Sequence, residues 1–345
     1  MTGPTVLEVL DGAIASVQDA GRPGWARLGV PPGGACDPHG FAVANALLDN
    51  PEGAAAVEIT LGGFAFALRE STVVAIGGAE LGAVVVEEDR ELATDASHLI
   101  QAGRTVRFGG RPPGAGRGAR AYLAVPGGFD VPRVMGSAAT SLVGGFGGMD
   151  GRGLRAGDIL RGAVHADPAL AGRRWPDEPP ARATGATTPA APPTEGVVRV
   201  VAGPHGDRFL ADALEGFLDS EWTTRPNSDR MGIRLAGPQV QRRRARQLVS
   251  LPMTWGAIQV PPDGTPIALL ADHQTVGGYP VLAVVIRADR TVIGQLAPGD
   301  RVRFELVDIA DAQAAWREDR AFFNTALARL AAMERWNDQW LWAGA

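Results

Sequence analysis

The chain of 345 residues contains no lysine, so all 33 of its basic residues are arginine. That absence excludes chemistries that need a primary amine: a phosphate-binding P-loop, a Schiff-base enzyme and a self-biotinylated carrier each require a lysine. Arginine must do any anion binding, which suits planar carboxylates and phosphates through paired hydrogen bonds. The single cysteine, Cys36, excludes an internal disulfide and a thiolate cluster. We read it as a small buried hydrophobe rather than a nucleophile, since nothing beside it in the sequence clearly lowers its pKa. The histidines His39, His98, His165, His205 and His273 are scattered without ligand spacing, so no metal is expected. No Gly-x-Ser-x-Gly elbow occurs, which disfavours serine hydrolysis by that route. No apolar run approaches the roughly 20 residues of a membrane helix, and MTGPTVLEVLDG lacks the basic-then-apolar pattern of a secretory signal. A soluble, cytoplasmic protein is expected. The formal charge of -5 gives no reason to expect nucleic acid as a partner.

What is present is glycine, proline and short apolar runs. The length predicts two domains, and a hydrophobic content of 45% is enough to give each a core. Residues 166–196 are dense in Pro, Ala, Gly and Thr without apolar periodicity and read as a linker between β-rich domains at 1–165 and 197–308. Runs such as VEITLGGFAFAL, TVVAIGGA, AYLAVPGG, GVVRVVAG and PIALLAD are bounded by Gly, Pro and Asp, the pattern of many short strands joined by tight turns. LIQAGRTVRF, GLRAGDILRG and QLAPGDRVRF align on Gly103, Gly157 and Gly299, each a turn feeding an alternating strand whose arginine faces out. The expected fold class is mainly β, built of barrels closed by such strands. Helices are few: Asp37-Pro38 is a capping pair that opens one, 207–220 has a helical stripe, and 309–336 is the longest amphipathic candidate in a helical tail at 309–345. That tail, ending WNDQWLW, is expected to dock on its own domain or on a partner.

Three polar clusters are candidates for chemistry. DHQTVGGYP supplies Asp272, His273, Gln274, Thr275 and Tyr279 around Gly277 and Gly278 at the start of an apolar strand. Gln and Thr can bind a planar amide or carboxylate, and the glycines are expected to supply positive φ or room for close approach, letting backbone N–H groups approach an anion; a plain polar hairpin is the alternative. VQDAGRPGWARLGVPPGGACD places Gln18, Asp19 and Arg22 ahead of two Gly/Pro turns, and an ordered loop of this length is uncommon unless it binds something. RPNSDRMGIRLAGP leads from Asn227, Ser228, Asp229 and Arg230 into a strand. The last two clusters pair an acid with an arginine, which serves a structural ion pair as readily as an anion clamp. The run RRRAR at 242–246 reads as a solvated edge.

Five segments in this order over residues 17–304 carry a family resemblance: VQDAGRPGWARLGVPPGGACDPHGFAVANALLDN, GSAATSLVGGFGGMDGRGLRAGD, NSDRMGIRLAGP, GAIQVPPDGTPIALLADHQTVGGYP and QLAPGDRVRF. They resemble the biotin-dependent carboxyltransferase family, also called KipA-like, allophanate hydrolase subunit 2 or the C subunit of 5-oxoprolinase. The resemblance implies a cyclophilin-like β-barrel fold and a KipI-like partner, the B subunit of 5-oxoprolinase. With a third component, the LamB/YcsF-like A subunit, such an assembly opens 5-oxoproline to glutamate at the expense of ATP. Two alternatives follow from the same resemblance: carboxyl transfer from carboxybiotin on a separate carrier to urea or a related amide, and a non-catalytic regulatory binding protein. The QTVGGYP segment resembles the family's ligand-binding loop at a barrel mouth. Candidate catalytic residues are then Gln274, Tyr279, Asp229 and Arg230, and candidate substrate contacts are Gln18, Asp19, Arg22, Thr275, Gly277 and Gly278. Ala138 and Ala139 depart from the family pattern, which has a polar or basic residue there, and so does His273.

Overall fold

The computed structural model describes residues 5–112, 118–164, 167–176, 196–243 and 248–342. The fold is mainly β. The first unit is two antiparallel sheets packed face to face. One has six strands in the order Ile159–Arg161, Thr5–Asp11, Ala65–Leu68, Thr105–Phe108, Ala83–Val85, Arg90–Glu91; the other has five in the order Ile14–Gln18, Ala56–Thr60, Arg120–Ala124, Thr72–Gly78, Ala96–Ile100. Inward residues of both sheets, among them Leu7, Phe66, Val57, Ile59, Ile76 and Leu123, make one core. Strands of the five-stranded sheet do not alternate, and every residue of Arg120–Ala124 is buried. The reason is a second covering layer, because helix α1 (Pro38–Ala46) lies on the sheet's outer face and a sheet covered on both faces reads as a continuous apolar run. Asp37 caps α1 by accepting from the His39 and Gly40 N–H groups, each at 3.0 Å. The helix sits so close to the sheet that a Cβ on Gly77 would lie 2.3 Å from the Gly40 carbonyl oxygen, which is why glycine stands there.

The second unit is a closed barrel of seven strands, in the order Gly196–Ala202, Val281–Val285, Ala257–Gln259, Ile267–Leu269, Gly232–Ala236, Trp222–Thr224, Arg301–Leu306. The first and last strands close it by pairing in parallel. Gly103, Gly157 and Gly299 have φ of 77°, 89° and 87° and feed the three strands that carry the outward Arg107, Arg161 and Arg303, as their alignment predicts. Helix α2 (Ala213–Leu218) is shorter than its sequence stripe, because Phe209 is extended and bridges Arg242 while still entering the barrel core beside Phe217. Helix α3 (Arg290–Gly294) follows the barrel strand that continues the polar loop. Helix α4 (Ile309–Trp342) then crosses back from barrel to sheets. Its Trp316 ring lies 4.1 Å beneath the Arg287 guanidinium, and Phe323 packs 5.0 Å from Trp175 and 5.8 Å from His39. Residues 167–176, expected as the start of the linker, pack into the first unit through Trp175; residues 166 and 177–195 of that linker, the last three residues of the RRRAR run, His165 and the side chains of WNDQWLW lie outside the described residues. No helix among the described residues is long and apolar enough to cross a membrane.

The two units meet through a buried polar network. Glu58, on the five-stranded sheet, accepts from the Cys36 N–H at 2.9 Å, from Tyr122 Oη at 2.8 Å and from the Arg230 guanidinium of the second unit. Arg230 donates onward to Asp272 at 2.9 Å and to the Gly34 carbonyl at 2.6 Å. Gln295 of the barrel side accepts from the Ala119 and Arg120 N–H groups at 2.9 and 2.8 Å and donates to Asp37 at 2.6 Å. Burial alone would raise the Glu58 carboxyl, but Arg230 and Arg120 hold it below the usual range. Burial likewise opposes the charge on Arg230, and Glu58 and Asp272 hold that guanidinium well above its ordinary value. The Cys36 thiol, fully buried here, is pushed up to about 11 by burial first, which keeps it protonated and inert as its sequence context suggested. Replacing Glu58 by Gln keeps the shape but removes the charge that compensates Arg230 and Arg120. The Glu58→Gln protein is expected to lose about 3 to 5 kcal/mol of stability in urea unfolding.

Candidate functional site

All three predicted polar segments converge with the segment around Ala138 where the first unit faces the barrel. Asp19 organises its own loop and the next: it accepts from the Gly21 N–H, the Ser137 hydroxyl and the Ala138 N–H, all at 2.7 Å. Arg22 is 2% exposed and donates through Nη2 to the Ala139 carbonyl, with its guanidinium carbon 4.9 Å over the Phe146 ring. Ala138 and Ala139 therefore contribute backbone atoms, which accounts for small apolar side chains at these positions. Arg22 Nη1 is buried with no partner among the described residues. A Cβ on Gly33, whose φ is 64°, would stand 3.0 Å from that nitrogen and 3.8 Å from Asp272 Oδ1. Burial pulls the Arg22 guanidinium down, and the charges of Asp19 and Asp272 oppose the pull.

A cavity of about 270 Å³ opens beside this charge, lined among others by Pro31, Phe146, Met231, Asp272, Gln274 and Thr275. Its polar wall is set by a pair of amides. Gln259 Nε2 donates to the Tyr279 carbonyl at 3.4 Å and contacts the Met253 sulfur at 3.1 Å, so its Oε1 is the acceptor for Gln274 Nε2 at 2.8 Å. With its NH₂ thus committed, Gln274 keeps Oε1 as an acceptor that no described residue uses. Asp272 is a poor candidate for a free base because Arg230 already holds both its oxygens, at 2.9 and 3.2 Å. Gln259 was not singled out from sequence; the signal was a polar residue at a buried position in a barrel strand, 2% exposed, one residue before the apolar Val260 and the Pro-Pro turn.

The remaining predicted residues hold the frame. Tyr279 is 45% exposed and outside the cavity lining, and its contribution is a backbone carbonyl. Asp229 accepts from the Met231 and Gly232 N–H groups at 2.8 and 3.2 Å, closing the turn before its strand. Arg230 belongs to the junction between units. Gln18 is buried behind the wall, donating to Ser16 Oγ at 2.9 Å and the Thr140 carbonyl at 3.3 Å. Thr275 lines the cavity, and its carbonyl accepts from the Met253 N–H at 2.9 Å. Gly277 and Gly278 do not adopt the expected positive φ. A Cβ on Gly277 would come 2.6 Å from Gln259 Nε2, whereas one on Gly278 meets nothing closer than 3.7 Å. Gly277 thus makes room for the amide pair.

His273, 3% exposed, is not part of that lining and donates through Nδ1 to the Gln274 carbonyl at 2.8 Å, since a carbonyl can only accept. Burial first, together with the charge of Arg290, holds its imidazole below the usual histidine value. The neutral form is therefore the one the fold favours, and the unfolded chain binds the extra proton first on acidification. This contribution to stability is complete above about pH 6.5 and is lost as the pH falls towards the depressed folded value. In thermal melts from about pH 7 to about pH 5.5, the wild-type protein is expected to lose more melting temperature than His273→Asn does.

The comparisons with known proteins agree with this architecture. Residues 28–306 match the family described as carboxyltransferase domain, subdomain A and B. The chain is 33% identical to the C subunit of 5-oxoprolinase from Escherichia coli over 325 residues, covering 92% of this chain and 96% of that protein. It is 31% identical to the C subunit of 5-oxoprolinase from Haemophilus influenzae over 320 residues, covering 92% of this chain and 97% of that one. Among solved structures, the Kluyveromyces lactis urea carboxylase superposes with a TM-score of 0.80 at 31% identity, covering 93% of this chain and 29% of that chain. A match over most of the chain, with both the sheet pair and the barrel included, establishes the relationship: the chain belongs to the carboxyltransferase-domain family, subdomains A and B.

Proposed function

We propose that the chain is the C subunit of a multi-subunit, ATP-dependent 5-oxoprolinase that opens the lactam of 5-oxoproline to glutamate. The observation that carries the reading is the oriented Gln274 amide, whose Oε1 stands unused at the cavity wall. An acceptor fixed in that way suits a ligand N–H, and a lactam provides one beside its carbonyl oxygen. Thr275 lies on the same wall, and the buried Arg22 behind Phe146 supplies positive potential for the oxygen that gains charge when the amide is attacked. Correspondence over nearly the whole length of two proteins named as the C subunit of 5-oxoprolinase supports a stand-alone component of this kind. The sequence has no nucleotide motif, so ATP is assigned to the assembly with a KipI-like B subunit and a LamB/YcsF-like A subunit. Carboxyl transfer from carboxybiotin is the second reading, favoured by the likeness to urea carboxylase, because a ureido ring offers Gln274 the same N–H. The missing lysine means that any biotin would arrive on a carrier outside these 345 residues.

The test is ATP-dependent glutamate release from 5-oxoproline by this chain alone and by the assembly of three subunits. The chain alone is expected to release none and the assembly to turn over; an assembly that is inactive on 5-oxoproline but carboxylates an amide in the presence of carboxybiotin overturns the first reading in favour of the second. Within the active assembly, Gln274→Ala is expected to lower turnover by roughly ten- to hundred-fold, the cost of one lost ligand hydrogen bond. The melting temperature is expected to fall as well, because the buried Gln259 Oε1 loses its donor, so turnover is compared at a temperature where the variant is fully folded. Tyr279→Phe is expected to be silent, because only the backbone of that residue takes part.

A further inference from the structure

Behind the cavity wall, on the side of the loop that carries His273, lies a cation that the substrate reading leaves without a task. Arg290, the first residue of α3, stacks its guanidinium 4.3 Å over the ring of Trp255. Its side chain forms no ion pair or hydrogen bond with a described residue, and its Nε is buried without an acceptor. The Trp255 indole nitrogen, on a side chain only 7% exposed, is likewise a buried donor with no partner. Three other partly buried arginines among the described residues are matched: Arg230 by Glu58 and Asp272, Arg199 by Asp289, Arg152 by Asp158. Around Arg290 the nearby charge is of the same sign. Burial, and after it Arg287, pushes the Arg290 guanidinium down to about 10. A half-buried cation without a counter-charge costs stability, as does each buried donor left unsatisfied. An aromatic platform beneath a guanidinium whose donors are uncommitted is the arrangement that receives an anion.

We propose that Arg290 and Trp255 form a binding site for a small oxyanion, a phosphate or carboxylate group, separate from the cavity lined by Gln274. The guanidinium supplies charge and paired donors to the anion oxygens, and the indole face fixes its plane. The neighbouring His273, neutral with Nδ1 committed to the Gln274 carbonyl, keeps Nε2 as an acceptor for an oxyanion that carries a proton. This site does not depend on which substrate the cavity takes.

The experiment uses the purified full chain and follows its melting temperature against increasing inorganic phosphate, and separately against acetate, with ionic strength held by sodium chloride. Wild type is expected to show a saturable rise with at least one anion; a larger response to phosphate identifies a phosphate site, and a larger response to acetate a carboxylate site. Arg290→Gln is expected to lose the rise and, without anion, to melt at or above wild type because an uncompensated charge has gone. Arg287→Gln, which leaves the Arg290–Trp255 stack in place, should keep the rise. The proposal is overturned if wild type responds to neither anion, or if Arg290→Gln responds equally. It is also overturned if Arg290→Gln melts well below wild type, which would make the guanidinium a structural contact.

Discussion

The guanidinium of Arg230 is the constraint on which the two units depend. It leaves the second unit at the start of a barrel strand and reaches three acceptors at once: Glu58 on the five-stranded sheet, Asp272 at the root of the polar loop, and the Gly34 carbonyl in the loop that follows Arg22. A planar fork with several fixed donors can do this, and a point-charged ammonium cannot hold the same three directions. The absence of lysine is therefore not only an exclusion. It goes with an architecture whose internal contacts between units are built from arginine, because Arg120, which also faces Glu58, donates to the Gly294 carbonyl on the barrel side.

The candidate site follows from that junction. Asp272 is turned into the cavity wall by Arg230, and the next residues inherit its position: Gln274 meets Gln259, and Thr275 faces the opening. On the opposite side Asp19 gathers the Ser137 hydroxyl and the Ala138 N–H, so that Arg22 can lie over Phe146. The wall thus has one half from each unit, and α4 ties them together a second time through Trp316 on the barrel side and Phe323 against Trp175. A pocket assembled from both halves exists only when they are docked, which ties the buried network to the chemistry proposed for the cavity.

How much of this is legible in the sequence differs by the kind of physics involved. Local features are: the Asp37-Pro38 cap, the Gly103, Gly157 and Gly299 turns and the long amphipathic helix each rest on neighbours in the chain, and each stands where the pattern places it. The three polar segments that contribute to the candidate cavity were also legible, because polar stretches with Gly and Pro are conspicuous. Long-range pairing was not. Nothing beside Glu58 in VEITLGG marks it as the acceptor for an arginine that lies 172 residues away, and nothing in GAIQV marks Gln259 as the residue that orients Gln274. Of the two readings of Gly277 and Gly278, positive φ is not adopted by either, whereas close approach holds at Gly277, where it is the Gln259 side chain across the barrel mouth that comes near. Likewise, that the N-terminal strands pair as two facing sheets was decided by which strand each one meets, which local pattern does not encode.

The coupling between Glu58 and Arg230 tests the account most directly. Urea unfolding of wild type, Glu58→Gln, Arg230→Met and the double variant gives that coupling as the difference between the double loss and the sum of the single losses. If the buried pair joins the units as described, the double variant loses less than the sum by about 0.5 to 3 kcal/mol, because the second substitution removes a group the first had already left uncompensated. Losses that add to within about 0.3 to 0.5 kcal/mol would show that the two side chains act independently, and would contradict a junction held by this pair.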